Sequence, residues 1–188
     1  MTNLLVKFFI KDYENITSHK VREAYGLLGS YVGILANVIL CFFKIGAGLL
    51  FNSMAILADG INNLSDAGSS IVTLIGFKLS SKPADEDHPY GHARMEYLSG
   101  LVVSFIILML GIELIRSSFD KILHPEPLTF SWIMVSILAL SILVKLWLCL
   151  FNRKLGKRID STTMLATATD SLNDVIATSA VLIALIIA

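Results

Sequence analysis

Five apolar stretches dominate the chain: Leu27 to Phe51, Ser53 to Leu79, Tyr97 to Phe119, Phe130 to Phe151 and Thr162 to Ala188. Each meets or approaches the roughly 20 residues that an α-helix needs to cross a hydrocarbon core of about 30 Å. Lipid offers a backbone no hydrogen-bond partners, so such segments must satisfy their own amides as helices. The expected fold is all-α, a polytopic transmembrane helix bundle. Composition agrees: 55% of the 188 residues are hydrophobic and 16% charged, too apolar for a soluble enzyme. The 15 basic and 15 acidic side chains cancel, which removes the overall basic field that nucleic-acid binding requires. Cys41 and Cys149 lie in apolar runs and read as small buried hydrophobes.

The charges that do occur set an orientation, because lysine and arginine collect on the cytoplasmic side of short loops. Lys7, Lys11, Lys20 and Arg22 precede the first span. Lys78, Lys82 and Arg94 flank the connection between spans two and three, and Arg153, Lys154, Lys157 and Arg158 fill that between four and five. All of these share one side, against Arg116 and Lys121 on the other, so the amino terminus is expected inside. Residues 1–26 are read as a cytoplasmic amphipathic segment with Leu4, Leu5, Phe8 and Phe9 on the membrane surface, a flexible tail being the other reading. A tight turn at Asn52 and Ser53 and a loop holding Pro125 and Pro127 are expected outside. Lys44 and Lys145 fall within spans, where snorkelling to the nearer interface is preferred over a place in an ion path. Because the chain stops at Ile186, Ile187 and Ala188 with no polar flank, residues 27–188 are expected to be a truncated membrane domain.

Span two carries Asp59, Asn62, Asn63 and Asp66 where a lipid-facing helix would carry leucine. An ionisable group at the bilayer centre costs about 3 kcal/mol or more unless it meets a partner, water or an ion. At 3.6 residues per turn Asp59, Asn62, Asp66 and Ser70 share one face, while Ile56, Leu64 and Ile71 are expected to face lipid. Span five repeats the device with Asp170 and Asp174, one turn apart. Counted at about 1.5 Å per residue, Asn62 lies roughly 14 Å and Asp66 roughly 20 Å from the outside, Asp170 roughly 12 Å and Asp174 roughly 18 Å from the inside. Both pairs therefore fall at one level near the midplane. Three carboxylates and an amide oxygen in a low-dielectric site ask for a counter-charge, which a divalent cation supplies; interhelical hydrogen bonding is the competing reading. In the loop between spans two and three, His88 and His92 near Asp85 form a ligand set for a borderline metal, or serve only as hydrogen-bonding groups.

These residues resemble the cation diffusion facilitators, and most closely their manganese-type branch. The resemblance covers most of the chain. Its most specific part is the loop Lys82 to Glu96, KPADEDHPYGHARME, and its motifs in spans two and five fall on Asn62, Asp66, Asp170 and Asp174. It implies a transport site at those four positions and a loop metal site at Asp85, His88 and His92. It also implies six spans followed by a cytoplasmic metal-binding domain that dimerises, so this chain would hold five spans of an expected six and stop before that domain. The function implied is efflux of a divalent cation by exchange for protons at the same carboxylates, from an integral protein of the cell membrane that forms a homodimer in its full-length parent. An oxygen-only ligand set suits Mn²⁺, whereas imidazole favours Zn²⁺. Manganese is thus expected, with Zn(II) or Fe(II) antiport, or a non-transporting membrane scaffold, as alternatives. No HExxH word or similar device occurs, so no enzyme is expected and no resident cofactor.

The orientation argument makes a direct prediction. A cysteine introduced by Glu86→Cys should be labelled by an impermeant maleimide only from the cytoplasmic side, and one introduced by Glu126→Cys only from outside. Reversed labelling would overturn the topology.

Overall fold

The computed structural model describes residues 2–50, 54–123 and 132–187. The expected turn at Asn52 and Ser53, the loop with Pro125 and Pro127 and the terminal Ala188 lie outside the described residues. Among the described residues six helices run in chain order: α1 Thr2–Phe9, α2 His19–Leu50, α3 Met54–Ser80, α4 Met95–Leu123, α5 Trp132–Ile159 and α6 Thr162–Ile187. Among the described residues there is no strand. Three stretches among the described residues, His19–Leu50, Met95–Ser117 and Trp132–Ile159, are long and apolar enough to cross a membrane. α3 and α6 have the length, at 27 and 26 residues, but their apolar runs are interrupted by the acids and amides of the candidate site.

The helices pack as two hairpins, α2 on α3 and α5 on α6, with α4 against α3 and α6, and α2 against α5. This arrangement brings α3 and α6 together inside the bundle. The outward faces are apolar, as in Leu35, Phe42, Leu64, Ile71, Phe105 and Leu143, all exposed and suited to lipid. Leu64 and Ile71 lie as expected, but Ile56 does not. It is buried at 3% exposure beside Ala47, Met134 and Leu138. Eight residues separate Ile56 from Leu64, a rotation of about 80° on a helix, enough to turn it inward. Cys41 and Cys149 are buried free thiols.

The end of the bundle on which α1 packs is a hydrophobic plug of Tyr25, Leu28, Phe77, Phe151, Leu155 and Met164. Val6 and Ile10 seat α1 and the residue after it on this cluster, while Leu4, Phe8 and Phe9 stay exposed. A side chain at Gly26 would run into the Phe77 ring, so glycine there is what lets α2 and α3 close on each other.

The corner between α5 and α6 sets the height of α6. Asp160 takes a left-handed conformation (φ 50°) just after α5, and the Ser161 amide donates back to the Gly156 carbonyl at 2.9 Å, the Schellman pattern that ends a helix. Ser161 then caps α6, its Oγ accepting from the Met164 amide at 3.3 Å. Arg22 fastens this corner to the bundle. It holds both Glu96 oxygens at 3.0 Å and donates to the carbonyls of Ile159 and Asp160. Such a cation suits the exposed carbonyls at a helix C-terminus.

Gly26→Val should therefore destabilise the protein by about 1–3 kcal/mol through overpacking against Phe77, seen as a lower thermal midpoint in detergent. Gly46→Ala, where nothing lies within 4 Å, should not lower the midpoint, since alanine fits the space and favours the helix.

Candidate metal site

The face of α3 that carries Asn62 and Asp66 meets the face of α6 that carries Asp170 and Asp174. Asp66, Asp170 and Asp174 each offer a carboxylate oxygen within 4.8 Å of the others. Asn62 Nδ2 donates to Asp174 Oδ1 at 3.2 Å, so all four residues expected from the sequence meet at one place. Asp66 and Asp170 are buried, at 3% and 7% exposure, while Asn62 and Asp174 are half-buried. Asp66 Oδ1 is buried and has no hydrogen-bond partner. A carboxylate oxygen stripped of water and left unpaired is costly, and it is the kind of atom that a cation satisfies. Ser70, on the same face, turns its hydroxyl back onto the Asp66 carbonyl at 3.0 Å and joins no cluster.

Snorkelling of the two intramembrane lysines is not what the structure contains. Lys145 of α5 points into the cluster, its Nζ 2.5 Å from Asp66 Oδ2 and 2.6 Å from Asp174 Oδ2. Lys44 of α2 is 1% exposed and pairs with Asp59 at 2.8 Å. Both lie in the interior because acids on neighbouring helices stand at their level, and pairing there replaces the hydration a snorkelling ammonium would seek. Asp59, read from the sequence as a member of the site face, belongs to this separate pair two turns from Asp66. Lys145 was missed as a site residue, although the depth count that aligned the acids also places it, about six residues from the inner end of span four, at the level of Asp66.

The loop between α3 and α4 forms a second cluster. Asp85, His88 and His92 offer ligand atoms within 4.8 Å of one another. The His88 amide donates to Asp85 Oδ1 at 2.7 Å, His88 Nδ1 lies 3.1 Å from the same oxygen, and His92 Nε2 lies 3.5 Å from Asp85 Oδ2. His92 Nδ1 sits 3.2 Å from the Pro83 carbonyl, an acceptor only, which assigns the ring proton to Nδ1 in the neutral form and leaves the Nε2 lone pair towards Asp85. Desolvation raises the Asp85 carboxyl, but the His88 amide and ring and the nearby imidazoles together outweigh it and hold it below the usual carboxylate range.

Residues 30–188 match the family model described as the cation efflux transmembrane domain. The manganese efflux system protein MneS of Bacillus subtilis (strain 168) is 37% identical over 149 residues, 79% of this chain and 51% of the relative. The manganese efflux system protein MneP of the same organism is 30% identical over 168 residues, 89% of this chain and 56% of the relative. Mitochondrial metal transporter 1 of Saccharomyces cerevisiae is 28% identical over 193 residues, 88% of this chain and 38% of the relative. The chain thus spans about half the length of the bacterial relatives.

The Lys44–Asp59 pair yields a stability prediction. Asp59→Leu leaves a buried ammonium unpaired and should destabilise the protein by about 3–5 kcal/mol, whereas the double change Lys44→Met with Asp59→Leu should recover most of that loss. Thermal unfolding of the two variants in detergent checks both.

Proposed function

The chain belongs to the cation efflux family, and from that premise we propose that it moves a divalent transition-metal cation, Mn²⁺ first among them, through a site formed by Asn62, Asp66, Asp170 and Asp174. The observation that carries the reading is the convergence of three carboxylates from two helices around a buried, unpaired Asp66 oxygen. In this reading α3 and α6 both span the membrane, and the amino terminus faces the cytoplasm of a cell-membrane protein. Oxygen is the only donor the four residues offer once the Asn62 amide turns its carbonyl inward, and oxygen donors suit Mn²⁺. The names of two relatives support the same cargo, since both are manganese efflux proteins.

The four residues also supply a route for coupling. The two sides of the membrane see the site in turn as the bundle rocks, and protons take the place of the departing cation on the carboxylates. Exchange of metal for protons then needs no second pathway. The loop cluster of Asp85, His88 and His92 is a second binding position for a cation, where the Nε2 lone pair of His92 and the Asp85 carboxylate face each other across 3.5 Å with room for a positive charge. A homodimer, which the family resemblance implies, is part of the same proposal.

Two measurements test the site and its selectivity in proteoliposomes of the intact protein. Asp66→Ala or Asp174→Ala should each abolish Mn²⁺ transport with insertion intact, and normal transport by both would sink the assignment. Asp170→His places an imidazole on the same face and should raise the ratio of Zn²⁺ to Mn²⁺ transport; a ratio that stays level or falls removes ligand type at this position as the basis of selectivity.

A further inference from the structure

The site contains a cation that the chain supplies itself. Lys145 Nζ reaches Asp66 Oδ2 at 2.5 Å and Asp174 Oδ2 at 2.6 Å from a side chain only 3% exposed. Both carboxylates are ligands of the transported ion in the reading above, on which this inference rests. We propose that Lys145 is a tethered counter-cation that alternates with the transported ion at Asp66 and Asp174, and so sets how tightly the site holds its cargo.

Three ionised carboxylates within 4.8 Å of one another repel strongly in a low-dielectric interior, and an ammonium between them offsets part of that repulsion when no cargo is present. A divalent ion bonds carboxylate oxygens at roughly 2.0–2.6 Å, so it cannot share Asp66 and Asp174 with an ammonium at hydrogen-bond distance without a large repulsion of like charges. Loading therefore requires the lysine to withdraw. An acceptor waits for it one turn earlier on α5, where Ser141 is 1% exposed and its Oγ has no partner. Side chains four apart on a helix are neighbours at about 5–6 Å, within the swing of a lysine. The entering ion meets Asp66 Oδ1 first, the oxygen that Lys145 leaves unpaired.

Charge closes the argument. Three carboxylates and one ammonium leave two negative charges, which one divalent ion cancels, so the loaded site with the lysine displaced is neutral. Without the lysine the acids would grip the ion harder and release it more slowly. With it, the ammonium returns to Asp66 and Asp174 as the ion departs, so those two acids are not left unpaired in the membrane interior.

The test is Mn²⁺ binding by calorimetry and Mn²⁺ release by counterflow, on the intact protein in nanodiscs and proteoliposomes at one fixed pH. Lys145→Met and Lys145→Gln should tighten Mn²⁺ binding about tenfold or more and slow release, whereas Lys145→Arg, which keeps the charge, should bind within about threefold of the parent. Equal or weaker binding in both neutral variants overturns the proposal, as does loss of the folded protein in both, since the lysine would then be a fixed structural partner. A parent that binds no Mn²⁺, or an Asp66→Ala protein that binds it as the parent does, would instead overturn the transport site itself.

Discussion

An ammonium held between two carboxylates from different helices is the interaction around which this bundle is built. Lys145 of α5 joins Asp66 of α3 to Asp174 of α6, at 2.5 and 2.6 Å. None of the three charges is tolerable at this depth without a counter-charge, whether the lysine's or a bound cation's, since a buried charge left unpaired typically costs about 3–5 kcal/mol. Their mutual satisfaction lets two helices as polar as α3 and α6 occupy the middle of an otherwise apolar bundle. The Lys44–Asp59 pair does the same for α2 and α3 two turns away.

The remaining structure keeps these groups in register. The Schellman turn at Asp160 and the Ser161 cap fix where α6 begins, and Arg22 fastens that corner to Glu96 of α4. From this start Asp170 and Asp174 follow on the inward face after two to three turns, opposite Asp66 and Asn62. The plug around Phe77, Phe151 and Met164 packs α2, α3, α5 and α6 together on the α1 side of the site. The arrangement separates an apolar end, where α1 packs, from a polar centre, where the proposed transport site lies.

Much of this was legible in the residue order. Helical periodicity put Asn62 and Asp66 on one face of α3 and Asp170 and Asp174 on one face of α6, and residue rise alone set all four at a common depth. The loop triad was legible from its residue types at short spacing, although Pro89 and Gly91 deny it a helical register. The partners of the lysines were not legible as they were read. Snorkelling is a rule about one side chain and the nearest water, whereas pairing depends on which helix stands opposite. Ile56 escaped for the same reason, since a face drifts by 20° over seven residues and by about 80° over eight, and only packing decides where lipid contact ends.

The sequence by itself determined the class of fold and the chemistry of its centre. Apolar length dictates helices in lipid, and acids within such helices must find a cation, because water is absent there to solvate them. Which cation stands between the acids was decided only by the tertiary structure. Whether Lys145 meets Asp66 and Asp174 or bends towards the interface depends on α5 lying against α6 and α2 while α3 meets α6, contacts between residues 29 and 79 positions apart in the chain. No local pattern encodes such a meeting, since a buried charge is set by whatever group the folded chain brings within about 3 Å of it.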